Sequence, residues 1–240
     1  MGRHGTIAGR KAAQDNKRAA LFTKYTRAII IAAKGGGNPD FNASLKNAIE
    51  KAKAINLPND KIDRAIKKGT GELEGETYEE ITFEGYGPGG VAIVVDVLTD
   101  NKNRATSNVK HSFDKNGGNM GVPGCVSYMF DRKGVILIEN IDGVDEDELM
   151  EAALEAGADD IKTEGEIFEV LTAPEDFHAV ADALRDAGYA LAEADIEQVA
   201  SIESEPKNAN DMKALVKLID MLEDDDDVQK VYTNSSVPIE

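Results

Sequence analysis

A single cysteine, no tryptophan and no long apolar run set the first limits on this chain of 240 residues. Cys125 alone can close no intrachain disulfide, a usage that suits a reducing compartment. No stretch approaches the roughly 20 apolar residues that a membrane-spanning helix needs. The opening Met1-Gly2-Arg3-His4-Gly5-Thr6 lacks the apolar core of a secretory signal. The expectation is a cytoplasmic protein with no membrane partner. Its three histidines, His4, His111 and His178, lie far apart, without metal-ligand spacing. Gly-x-Ser-x-Gly, the phosphate-binding Gly-x-x-x-x-Gly-Lys loop and His-Glu-x-x-His are all missing. No catalytic residue, metal or cofactor is therefore expected, and the chain is read as a non-enzyme. The glycine runs 35–37 and 85–90 lack the spacing of a nucleotide fingerprint and are read as helix stop and turn. The run Asp224-Asp225-Asp226-Asp227 lacks the alternation of a calcium loop. It would oppose the dipole of a preceding helix, so it is placed in a solvated loop.

What the chain does have is charge, unevenly placed. The net charge of −18 hides a split: residues 1–68 carry fifteen of the 27 Lys and Arg against five acids, a balance of +10, which leaves −28 for the rest. A basic head on an acidic body points to a polyanionic partner held by the head alone. Phosphate recognition needs cations on a rigid frame. The candidates are Arg3, His4, Arg10, Lys11, Lys17 and Arg18 before or at the start of the first helix, Lys24, Arg27 and Lys34 along its polar arc, and Lys61, Arg64, Lys67 and Lys68 further on. This charge pattern does not separate DNA from RNA.

Periodicity organises the chain into an α+β protein of three domains. Residues 1–77 form a helical bundle. At 100° per residue Leu21, Phe22, Tyr25, Ala28, Ile29, Ala32 and Ala33 share one face of the first helix, opposite Lys17, Lys24, Arg27 and Lys34. Asn38-Pro39-Asp40 reads as the cap and first turn of a second helix, with Phe41, Leu45, Ala48, Ile49 and Ala52 inward. A third helix follows Leu57-Pro58, with Ile62, Ala65 and Ile66 inward. Strands are expected over Tyr78–Glu84, Val91–Leu98 and Val126–Phe130, and a helix over Asn103–Lys115. Residues 135–202 then run β-α-β-β-α-β, the ferredoxin-like order. A last helix, Asp211–Leu222, and strand, Val228–Thr233, have no sheet of their own. The economical arrangement lets them complete a discontinuous α/β middle domain of residues 78–134 plus 203–240, into which the ferredoxin-like domain is inserted.

Several blocks in order resemble the YebC/PmpR family, bacterial proteins classed as probable transcriptional regulators and related to the mitochondrial translational activator of cytochrome oxidase. They include Arg10-Lys11-Ala12-Ala13-Gln14-Asp15, Ala33-Lys34-Gly35-Gly36-Gly37-Asn38-Pro39-Asp40 and Arg64-Ala65-Ile66-Lys67-Lys68-Gly69. They continue with Glu84-Gly85-Tyr86-Gly87-Pro88-Gly89-Gly90, Thr99-Asp100-Asn101-Lys102-Asn103-Arg104, Gly117-Gly118-Asn119 and Leu218-Ile219-Asp220-Met221-Leu222-Glu223-Asp224. The opening departs from the family's usual Gly-His-Ser-Lys-Trp. The resemblance implies three domains and gene regulation without catalysis, by a DNA-binding transcriptional regulator. The alternative it implies is a ribosome-associated translation factor that binds ribosomal RNA and relieves stalling.

Overall fold

The computed structural model describes residues 21–75, 77–139, 144–164 and 167–237. The head consists of α1 (described over 21–33), α2 (Ala43–Ala54) and α3 (Asn59–Gly69). Ile29, Ile30 and Ala33 of α1 meet Leu45 and Ala52 of α2, Leu57 of the connection, and Ile62 and Ala65 of α3. α2 begins later than its sequence suggests. Asn42, not Asn38, caps it, accepting from the Leu45 N–H. The same Asn42 amide donates to the carbonyls of Ala32 and Gly36, so one side chain ends α1 and starts α2. Asn38 instead closes a turn on the N–H of Asp40. Phe41 therefore precedes the helix instead of lining its inner face, and it is 90% exposed.

The body follows as β1 (Glu79–Tyr86), β2 (Ala92–Thr99), α4 (Lys102–Lys115), β3 (Asn119–Met120), β4 (Phe130–Glu139), α5 (Glu146–Ala156), β5 (Asp160–Glu164), β6 (Ile167–Thr172), α6 (Phe177–Asp186), β7 (Leu191–Ala200), α7 (Ala209–Glu223) and β8 (Val228–Thr233). Two four-stranded sheets result, in the orders β3-β1-β2-β8 and β5-β6-β4-β7. Every neighbouring pair is antiparallel. The second order is that of a ferredoxin-like sheet, its core built from Ile136, Ile138, Phe168, Val170, Leu149 and Leu184.

The last strand returns across the whole body to pair with β2, Ile93 opposite Thr233. β2 is consequently a central strand and is buried on both faces, which accounts for its unbroken run Ala-Ile-Val-Val-Asp-Val-Leu-Thr. On one face Val91, Ile93, Val95 and Val97 meet Val109 and Phe113 of α4 and Leu215, Leu218 and Leu222 of α7. On the other, Ala92 and Val94 meet Val126 and Phe130.

One expected strand is absent. Residues 127–129 make a single 3-10 turn, and Phe130 begins the ten-residue β4 of the other sheet. The strand crosses Gly134 without a break, and Phe177 and Thr172 leave room there only for glycine. A Cβ there would fall 2.8 Å from Phe177 Cβ.

Candidate nucleic-acid interface

Arg27, on the polar arc of α1, turns onto the body. Arg27 Nη1 donates to Asp227 Oδ1 at 2.7 Å and to the Asp226 carbonyl at 2.7 Å, and its guanidinium lies 5.4 Å from the Tyr78 ring centroid. Asp227 is shared: Arg104 of α4 donates to it from Nε at 3.0 Å and Nη2 at 2.8 Å, and Thr99 Oγ1 at 2.9 Å. The carboxylate is only 3% exposed and Arg27 13%. The Asp224–Asp227 run is thus not a uniformly solvated loop, since its last member is a buried anchor for two arginines. Hydrogen bonds to Asp227 and Asp100 push the Arg104 guanidinium still further above its ordinary value.

Of the other described cations of the arc, Lys34 is exposed but bonded and Lys24 is half-buried. Lys34 Nζ donates to the Tyr78 carbonyl at 2.9 Å. Burial pushes the Lys24 ammonium down, against the raising effect of Glu223.

A second junction joins all three bodies. Asp195 of β7 is bridged by Lys51 of α2 and by Lys230 of β8, and accepts from the Asn47 amide at 3.2 Å. Burial disfavours the charge on Asp195, but Lys51 and Lys230 outweigh it and hold its carboxyl below the ordinary value. Burial likewise opposes the Lys230 charge, and Asp195 and Glu197 override it, so that ammonium is raised. Head and ferredoxin-like body meet again at Lys46–Asp182 and Glu50–Arg185, both 3.6 Å and both exposed. Around Asp195 lies a cleft of about 1250 Å³, lined by Lys24, Tyr25, Asp96, Arg132, Lys230 and Tyr232 among others. Its walls alternate in charge, so it has no single-sign field for a polyanion.

The cations that remain open are those of α3. Lys61, Arg64 and Lys67 are exposed and Lys68 partly so. Ile62 and Ala65 hold the opposite face in the core. None of the four forms an ion pair among the described residues, although Lys61 Nζ sits 5.4 Å from the Phe22 ring centroid. Lys53 near the end of α2 is also exposed. Asp60 and Asp63 alternate with the α3 cations, so the face is basic but not uniformly so. Arg3, His4, Arg10, Lys11, Lys17 and Arg18 lie outside the described residues.

At the far end of the first sheet, Glu84 shapes a loop. Its carboxylate is 7% exposed and accepts the N–H groups of Gly124 at 2.8 Å, Val126 at 2.9 Å and Ser127 at 2.8 Å. Burial opposes that charge, and the three backbone donors more than offset it, holding the carboxyl below its ordinary range. Sequence reasoning missed Glu84, Asp195 and Asp227 alike, because nothing in a linear pattern separates these three bonded acids from 42 others. Among the described residues no three His, Cys, Asp or Glu side chains cluster as a metal site, and no helix is long and apolar enough to cross a membrane.

A helical head packs on two antiparallel α/β bodies, with a basic face open on α3. The chain belongs to the TACO1/YebC family. The model for the family's N-terminal domain matches residues 3–72, and that for its second and third domains residues 78–235. A probable transcriptional regulatory protein of Clostridioides difficile (strain 630) is 56% identical over 99% of this chain and 100% of its own length. Another, from Clostridium novyi (strain NT), is 54% identical over 98% of this chain and 95% of its own. The crystal structure of the conserved hypothetical protein Aq1575 from Aquifex aeolicus superposes with a TM-score of 0.85 at 45% identity, covering 94% of this chain and 93% of that one.

Proposed function

We propose that this protein is a non-enzymatic, cytoplasmic regulator of gene expression that binds nucleic acid through its head, in the first reading as a DNA-binding transcriptional regulator. The observation that carries this is the α3 face: Lys61, Arg64 and Lys67 stay open to solvent, while Arg27, Lys34 and Lys51 hold body carboxylates or a body carbonyl. The names of the relatives point the same way. The basic residues at 3–18 remain candidates for the same role on their charge alone. Lys24 and Arg27 are left out of it, because phosphate contact would first have to strip them from the body. The proposal keeps the domain limits 1–77, 78–134 with 203–240, and 135–202.

One observation favours ribosomal RNA as the alternative target. With Arg27 engaged by Asp227 and Asp60 and Asp63 interrupting α3, no surface resembles a dedicated base-reading helix. Recognition by phosphate position and shape suits folded RNA. The test is a triple charge reversal, Lys61→Glu, Arg64→Glu and Lys67→Glu. Affinity should fall on all sequences, and the slope of log K against log salt on duplex DNA should drop by about 0.9 for each phosphate no longer neutralised. Unchanged affinity and slope would remove α3 from the interface. Promoter footprints in cells against salt-sensitive cosedimentation with ribosomes then decide between the two targets.

A further inference from the structure

Phe41 is the most exposed large apolar side chain among the described residues. It occupies the position just before the α2 cap, where an apolar residue ordinarily clamps onto the fourth helical residue. Here that residue is Lys46, whose ammonium points to Asp182, so the clamp is not made. The backbone beneath Phe41 is nonetheless fixed. Its N–H donates to the Asn38 carbonyl at 3.2 Å, and the neighbouring Asn42 amide holds Ala32 and Gly36 at 2.7 and 2.8 Å. The loop also lies against the C-terminal end of α3: a Cβ on Gly37 would fall 2.7 Å from Thr70 Cγ2 and 3.4 Å from Ile66 Cγ2. That end carries Lys67 and Lys68. An aromatic ring thus stands exposed on a preorganised tip, and the loop that carries it packs against the end of α3 that bears Lys67 and Lys68.

We infer that Phe41 is a stacking platform for an unpaired nucleobase, with the flanking phosphates reaching Lys67 and Lys68. This rests on the reading that the head binds nucleic acid, and it narrows the ligand to single-stranded or looped segments. A base inside a duplex has both faces covered and offers no partner to the ring, whereas an unstacked base does. Aromatic stacking beside a cationic track is sequence-tolerant, which agrees with the lack of a base-reading helix.

The experiment uses the full chain and its Phe41→Ala and Phe41→Trp variants. Binding is measured by anisotropy on short unstructured RNA and DNA strands and on a blunt duplex of similar charge. Because the ring is outside the core, both variants should keep the wild-type circular dichroism and unfolding midpoint. Phe41→Ala should weaken single-strand binding by roughly five- to 150-fold, the range for losing one stacked base, with the salt slope and duplex binding unchanged. Phe41→Trp should restore it. An effect on RNA strands alone identifies RNA as the ligand, and an equal effect on DNA strands identifies the base as sufficient; either supports the inference. Single-strand binding that Phe41→Ala leaves intact overturns it while the head's nucleic-acid role stands. Failure of the wild type to bind any strand or duplex sinks that underlying role and this inference with it. Loss of ribosome cosedimentation by Phe41→Ala with single-strand affinity unchanged also overturns it, and assigns the ring to a protein contact.

Discussion

Replacing Asp227 by asparagine keeps the shape of the side chain and removes its charge, so it isolates what the shared carboxylate contributes. In the wild type it accepts from Arg27, Arg104 and Thr99. After substitution the amide oxygen still accepts from one arginine, but the amide NH2 confronts the other. Arg104 is 43% exposed and remains paired with Asp100, so it relaxes towards water at little cost. Arg27, at 13% exposed, cannot; it keeps only the Asp226 carbonyl and the Tyr78 ring. Removing one partner of a fully buried pair costs about 3–5 kcal/mol. With one of the two arginines partly solvated, about 2–3 kcal/mol is expected here. Urea unfolding at pH 7, followed by circular dichroism in the far ultraviolet, reads the loss. The double variant Asp227→Asn with Arg27→Met should be less destabilised than the sum of the singles, because the two residues are in contact. A loss under about 0.5 kcal/mol, or strict additivity, would refute the view that this pair holds α1 to the body.

Three further outcomes follow from the same geometry. Glu84→Gln should cost about 1.5–3 kcal/mol at neutral pH through lost charge-assisted hydrogen bonds. Since folding depresses the Glu84 carboxyl, that contribution is complete above about pH 4.3 and fades as pH falls through the folded value, so urea midpoints of variant and wild type should converge in acid. Gly85→Ala would place a Cβ 2.6 Å from the Asn119 carbonyl and 2.8 Å from the Phe113 ring, and should lower stability by about 1–3 kcal/mol, read by thermal unfolding. Asp195→Asn should leave helix and strand content intact but raise the radius of gyration in X-ray scattering, because Lys51 and Lys230 lose their common partner; an unchanged scattering curve would argue against that junction.

The elements were largely legible in the sequence, and the reason is visible in particular residues. α4 and α7 show their inner faces through Val109, Phe113, Leu215, Ile219 and Leu222, all buried as the helical period requires. The return of β8 to β2 follows from counting strands that had no partner. Periodicity failed where two explanations produce the same pattern. A polar arc on a helix looks alike whether it faces water or another body's carboxylates, and so Lys24, Arg27 and Lys34 could not be told from a solvated face. Asn38-Pro39-Asp40 and Asn42 both have cap chemistry. Only the fit of the Asn42 amide between Ala32 and Gly36 selects the second, and Phe41 moves outside with it. The need for glycine at 134 was not legible, because the side chains that exclude a Cβ there come from α6 and β6, far along the chain.

The return of β8 also imposes an order on synthesis. The Arg27 anchor lies 200 residues downstream, and β2 receives its second neighbour only from Val228–Thr233. While translation proceeds, the head's cations emerge first with their intramolecular counter-charges still unmade, and β2 waits with one edge unpaired. A chain that stops short of Asp227 would therefore be left with an open sheet edge and an unneutralised Arg27. The first sheet closes only once Val228–Thr233 has been made and has reached β2.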